Sequence, residues 1–198
     1  MTGRGAVAGM TAKPFILLVS AFLAVAPVPV LGGGVAAPDG YRMAVYRAPT
    51  PDALPGAVTV DAAAVAALAG AGAVLVDVVP AGVTRLGGAA DWVLKEEHRT
   101  LPGSVWLPNV GEGRLAPEVE GWYRSWLDRL TGGDRTRPLV IYCKADCWLS
   151  WNAARRALAF GHTAVHWYRD GVDGWEESGR PLVVARPAGP PPGARVQE

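Results

Sequence analysis

The run Leu139-Val140-Ile141-Tyr142 is wholly apolar, and Cys143-Lys144-Ala145-Asp146-Cys147 follows it at once. Ser150 to Phe160, rich in Ala and Arg, comes next and stops at Gly161. The first run predicts a buried strand and the last a helix ended by its glycine. The short loop between them holds both of the chain's cysteines. A cysteine on a strand-to-helix turn faces the positive end of the helix dipole and several free backbone N–H groups. Both favour the thiolate, the nucleophilic form. The remainder of the chain must build and cover that loop.

The first half supplies the same alternation. Val58-Thr59-Val60 predicts a short strand, and Asp61 caps an Ala-rich helix over 62–69 that Gly70 and Gly72 end. Ala73 to Val78 is a second apolar strand closing on Asp77-Val78. Strand, helix and strand at this spacing predict an α/β fold with a buried parallel sheet. Residues 80–102 show no clear period and carry the charged cluster Lys95-Glu96-Glu97-His98-Arg99, which predicts a long functional loop. Gly103 to Pro108 resumes a short strand. Pro117 opens an amphipathic helix with Val119, Trp122, Trp126, Leu127 and Leu130 on one face, and Gly132-Gly133 stop it. Val165 to Tyr168 predicts a further strand, and Asp170 to Trp175 a turn into a last short helix.

At the N-terminus, Arg4 and Lys13 precede an apolar stretch, Pro14 to Leu31, and small-x-small sites at Gly34-Val35-Ala36 and Val35-Ala36-Ala37. This pattern predicts an export signal over 1–37. Pro27, Pro29 and Gly32 to Gly34 argue against a continuous membrane span. The expectation is a periplasmic protein with no membrane attachment after cleavage, in an oxidising compartment where two cysteines can pair. Residues 38–55 read as an extended Pro-rich arm, 56–185 as the folded domain, and 186–198 as a disordered Pro/Gly-rich tail. The formal charge is +1, and losing Arg4 and Lys13 makes it −1, so nucleic acid is not an expected partner.

Several segments, in order, resemble one family. Leu75-Val76-Asp77-Val78, Leu101-Pro102-Gly103-Ser104, Val140-Ile141-Tyr142-Cys143 and Asp170-Gly171-Val172-Asp173-Gly174-Trp175 with Gly179-Arg180-Pro181-Leu182 are similar to a rhodanese-like domain. The Cys-Lys-Ala-Asp-Cys-Trp segment resembles the exported members named for a Cys…Cys-Trp motif and associated with PQQ-dependent (quinoprotein) alcohol catabolism. Tyr41-Arg42-Met43, Tyr46-Arg47-Ala48-Pro49 and Trp106 to Gly111 resemble that subgroup too. The resemblance implies a three-layer fold, a small parallel sheet with helices on both faces. It implies a sulfurtransferase in which Cys143 takes a sulfane sulfur as a persulfide. The loop residues Lys144, Ala145, Asp146, Trp148 and Leu149 would then cradle the sulfur or anion. The implied partners are a small sulfur-containing anion or thiol and a periplasmic quinoprotein dehydrogenase or cytochrome. No PQQ-binding signature is present, so no cofactor is expected on this chain.

The loop also departs from the family. It has neither the usual Gly nor the Arg near its end, Val79 stands where a basic residue often follows the Asp-Val strand, and the segment to Gly161 is longer by one residue. Phosphatase chemistry, which needs an Arg for the phosphate dianion, is not implied. Cys147 has three readings: a resolving thiol or redox partner for Cys143, a static disulfide, or a packed side chain. The first makes both cysteines catalytic. Retention of the sheet as a non-catalytic docking scaffold, and thiol–disulfide exchange through the pair, are the rival functions. Cys143-x3-Cys147 with His162-x3-His166 matches a loose zinc spacing, but the intervening helix sets it against a finger. Asp77 and His98 are candidates for the pocket border, against the plainer readings of a structural acceptor and a solvated loop residue.

Overall fold

The computed structural model describes residues 1–3, 35–86 and 89–191. Most of the expected export signal and the end of the Pro/Gly tail lie outside these residues. All the elements below belong to the compact unit Gly33–Glu198.

Strand β1 (Val58–Val60) leads into helix α1 (Ala62–Gly70), whose N-cap Asp61 accepts the Ala64 N–H at 2.8 Å. Strand β2 (Val74–Asp77) follows. The stretch expected as a long loop instead folds into a hairpin, β3 (Gly82–Leu86) paired antiparallel with β4 (Ala89–Val93). Short strands β5 (Arg99–Thr100) and β6 (Val105–Trp106) precede helix α2 (Pro117–Thr131). Gly132 ends α2 at φ 68°, a left-handed conformation that suits glycine. Then come β7 (Leu139–Tyr142), α3 (Trp148–Ala159), β8 (Val165–Tyr168), α4 (Gly171–Glu177) and β9 (Val183–Val184).

Five strands form one sheet in the order β1-β8-β7-β2-β6, all parallel. Every residue of β2 and β7 is buried, because helices cover both faces and neither face needs polar residues. Alternation sends Val74, Val76, Leu139, Ile141, Val165 and Trp167 into a core with Tyr123 and Leu127 of α2 and the inner side of α3. Leu75, Val140, Tyr142 and Tyr168 enter the opposite core with Val65 of α1 and Trp175 of α4. Ala153, Ala154 and Ala157 are fully buried, and their small size lets α3 lie close on the sheet.

Two further differences from expectation have packing causes. The buried side of α2 is centred on Tyr123, Leu127 and Thr131, while Trp122, Trp126 and Leu130 are only partly buried. The Pro/Gly tail does not leave the domain at residue 186. Pro187 bridges Trp106, Ala188 N–H donates to the Trp106 carbonyl at 2.9 Å, and Trp92 Nε1 donates to the Ala188 carbonyl. The tail thereby covers the outer edge of β6, an edge that would otherwise carry unpaired backbone groups.

Candidate active site

The loop 143–147 leaves the carboxyl end of β7, in the middle of the sheet, and enters α3 at Trp148. Cys147 is the helix N-cap, and it supplies no side-chain cap. The positive end of α3 therefore bears on the cysteines. The sulfurs of Cys143 and Cys147 are at bonding distance and their Cα atoms are 6.2 Å apart, within the range a disulfide tolerates. Both residues are 1 % exposed.

Backbone contacts from two sides hold the loop. Val172 N–H donates to the Cys143 carbonyl at 3.0 Å, and Lys144 bridges Gly171. A Cβ at Gly171, which has φ +56°, would overlap the Cys143 carbonyl, so a glycine is needed there. From the other side the N-terminal arm pairs with the loop. Ala48 N–H donates to the Asp146 carbonyl at 3.1 Å, and Trp148 N–H donates to the Tyr46 carbonyl at 2.9 Å. Arg47 Nη1 donates to the Ala145 carbonyl at 2.7 Å, and Ala145 N–H donates to Asp173 Oδ2 at 3.0 Å. Two of the amides expected in an anion cradle, those of Ala145 and Trp148, are thus already paired. Trp148 is buried and its indole donates to the Pro49 carbonyl, so it anchors the arm. Leu149 is buried at the start of α3. Lys144 and Asp146 are exposed, and Asp146 adopts φ 50°.

The two sulfurs form part of the floor of a cleft of about 770 Å³. Its walls are Val45, Tyr46 and Arg47 of the arm, Val79 and Pro80 after β2, Glu112, Lys144 and Leu149. A second cleft, of about 390 Å³, shares Val79, Pro80 and Lys144 with the first and is also lined by His98 and Trp106.

Asp77 is fully buried at the end of β2. Its Oδ1 accepts the Val79 N–H at 2.9 Å, which sets the turn that carries the Val79–Pro80 wall. Its Oδ2 accepts the Thr100 hydroxyl at 2.5 Å and meets His98 Nε2 at 2.7 Å. The Tyr142 hydroxyl lies 2.7 Å from Thr100 Oγ1 and 2.5 Å from Ser104 Oγ. Burial, and then the nearby Asp77 carboxylate, push the Tyr142 phenol well above its ordinary pKa, so it stays a proton donor. His98 also stacks on Trp106, with ring centroids 4.3 Å apart. His98 is thus a packed and hydrogen-bonded residue at the second cleft. Cys143 belongs to the opposite core from Tyr142.

Sequence reasoning missed Asn152, Arg156 and Asn109, which position the walls. Asn152 is fully buried. Its Nδ2 donates to the carbonyls of Arg42 and Gly111, both at 2.8 Å, and its Oδ1 accepts the Arg42 N–H at 2.9 Å. Arg156, one helical turn on, donates to the carbonyls of Val110, Glu112 and Gly113. Burial lowers its pKa from the ordinary arginine value. Its guanidinium lies 4.1 Å from the centroid of the Tyr41 ring. Asn109 exchanges two hydrogen bonds with Ala81 and steadies the wall after β2. The available signal was the i, i+4 spacing of two polar residues on an otherwise apolar helix face. His162 and His166 do not join the cysteines: His162 Nε2 meets Arg135, and His166 sits in β8.

Fold and site together define a parallel α/β domain that presents a sulfur-bearing loop at the carboxyl end of its central strand. The chain belongs to the family described as the rhodanese-like domain, whose model matches residues 61–178. The fold is the α/β rhodanese-like one, with a five-stranded parallel sheet and four helices, and the family relates the chain to sulfurtransferases. Among solved structures, it is similar to a thiosulfate sulfurtransferase from Pseudomonas aeruginosa at 19% identity and a TM-score of 0.46. That match covers 66% of this chain and 21% of the other, so this chain spans about a fifth of that protein's length. A rhodanese-like domain from Anabaena sp aligns at 16% identity over 71% of this chain and 92% of its own, with a TM-score of 0.42. A polysulfide-sulfur transferase from Wolinella succinogenes aligns at 17% identity over 65% and 79%, with a TM-score of 0.41. No curated protein sequence matches the chain.

Proposed function

We propose that this protein is an exported sulfurtransferase that carries a sulfane sulfur on Cys143 and resolves it through Cys147. The observation that carries the proposal is the pair of sulfurs at bonding distance on the floor of an open cleft. In the reduced protein the Cys143 thiolate attacks the sulfane sulfur of a donor, forming an S–S bond to Cys143 and releasing the donor's remaining half with the electron pair. With thiosulfate the leaving group is sulfite. The Cys147 thiolate then attacks the inner sulfur, the Cys143–Cys147 bond forms, and hydrosulfide leaves. A dithiol must reduce that disulfide before the next turnover. Lys144 and the positive end of α3 favour the thiolate in the first step. If an acceptor thiol takes the outer sulfur first, Cys147 is not consumed.

The basic and apolar N-terminal segment with its small-x-small sites supports export to the periplasm. The Cys-Lys-Ala-Asp-Cys-Trp motif and the arm sequence support membership of the subgroup associated with PQQ-dependent alcohol catabolism. A quinoprotein dehydrogenase or its cytochrome is the partner this suggests. The closed pair also favours a second reading, thiol–disulfide exchange with exported proteins and no sulfur carried. Intact mass separates the two. Reduced Cys147→Ser protein given a sulfane donor gains one sulfur and keeps it, while Cys143→Ser gains none. Wild type passes through the same adduct and ends two hydrogens lighter than the reduced form. Absence of any sulfur adduct in Cys147→Ser, with the wild-type disulfide exchanging freely with dithiols, would establish the second reading instead.

A further inference from the structure

We infer that the donor is a cysteinyl persulfide carried on a short peptide of about tripeptide size, and that Val45 and Arg47 of the N-terminal arm select it. The inference rests on the persulfide chemistry proposed for Cys143. The cleft above the sulfurs is about 770 Å³. The five non-hydrogen atoms of thiosulfate fill on the order of 100 Å³, since one water takes about 30 Å³ of liquid. The cleft instead falls in the range of about 300–1,000 Å³ that holds organic ligands. Its lining agrees, with Val45, Tyr46, Val79, Pro80 and Leu149 offering apolar or aromatic surface.

The site is poorly equipped for a small dianion. The Ala145 and Trp148 amides are taken by Asp173 and Tyr46. The Arg47 guanidinium is held against the Ala145 carbonyl and does not clamp the sulfurs. Arg47 and Lys144 are nonetheless two cations at the cleft, spaced to meet the carboxylates of a peptide whose apolar body lies between the walls.

The arm residues lie outside the segment that matches the family, yet they supply three of the lining residues. Val45 shows that this wall is maintained against a local cost. It is a β-branched residue at φ 51° and 67 % exposed. Such a conformation costs on the order of 1–3 kcal/mol and persists only where the surroundings over-determine it. Here Asn152 fixes Arg42 on one side, and the loop fixes Tyr46 and Ala48 on the other. The step is balanced. Cys143 thiolate attacks the outer sulfur of the peptide persulfide, the peptide's S–S bond breaks, and the peptide leaves as its thiolate.

The test uses reduced protein, freed of reductant, and three donors at equal concentration: thiosulfate, cysteine persulfide, and a tripeptide with a central cysteine persulfide. Intact mass follows the gain of one sulfur on Cys143 with time. The tripeptide persulfide is expected to load Cys143 about tenfold faster than the other two, the discrimination that a small apolar contact provides. Val45→Gly, which suits the left-handed backbone and so keeps the fold, is expected to cut that preference several-fold, as is Arg47→Gln. Equal or faster loading by thiosulfate or cysteine persulfide overturns the inference alone. An undiminished preference in both variants overturns the role of the arm. No sulfur from any of the three donors overturns the persulfide chemistry itself, and the inference with it.

Discussion

His162, just past the end of α3, is 2 % exposed. Its Nε2 lies 2.8 Å from Arg135 Nη1, and its buried Nδ1 has no partner among the described residues. Arginine can only donate, so the contact requires Nε2 to be the acceptor and the ring to be neutral. Burial first, and then the charge of Arg135, lower the His162 pKa from 6.5, with Asp128 opposing. The unfolded chain therefore takes up a proton on this residue at a higher pH than the folded one. The stability it contributes is complete above about pH 6.5 and is lost as pH falls through the lowered folded value. Thermal midpoints measured from about pH 7.5 to 5.5 should fall toward the acid side, and His162→Gln should flatten the slope. An unchanged slope in that variant would assign the effect to other groups. Asp77 shows the same limit of reading one residue at a time. Its place at the end of a buried strand was legible in Leu75-Val76-Asp77-Val78, but its partners Thr100 and His98 come from a segment whose path was not.

At the scale of elements, the arm and α3 behave as one unit. Arg42 pairs with Asn152, Trp148 with Tyr46 and Pro49, and the Trp151 indole reaches the Ala53 carbonyl. Asn152→Asp keeps the shape but removes both side-chain donors and sets a carboxylate against two carbonyl oxygens. It should lower the unfolding free energy by about 3 kcal/mol. Hydrogen exchange should then quicken at the Ala48 and Trp148 amides, which bond across the arm–loop bridge. Slow exchange at both, in a destabilised variant, would show that the bridge stands without Asn152. The elements that were legible in the sequence have strong local signals: an apolar run for β7, Asp61 for the start of α1, Gly132 for the end of α2. The hairpin β3–β4 was missed because its apolar residues do not alternate cleanly. The pair Gly87-Gly88 between its strands was the signal available. The arm was legible only as extended chain, since what orders it is Asn152, more than 100 residues away.

For the whole molecule, the proposed cycle requires a fold that survives with the cysteines bonded, free or persulfidated. The geometry favours this. The bond joins residues four apart, so it closes a very small loop. In the chain-entropy account such a loop contributes only ~2 kcal/mol. Two buried cores on either side of the sheet, and the arm bridged to the loop through backbone hydrogen bonds, do not depend on it. Reduction should therefore leave the far-ultraviolet circular dichroism unchanged. It should lower the melting temperature by about 4–8 °C, given roughly 2–4 °C per kcal/mol for a domain of this size. Cys143→Ser and Cys147→Ser should melt within a few degrees of the reduced wild type, since each removes the same bond. A reduced protein that loses its secondary structure would mean that the disulfide is a structural staple. The resolving step would then destroy the site that performs it, and the paired cysteines would have to be read as architecture. A small, reversible shift is what a redox-cycling loop on a rigid sheet requires.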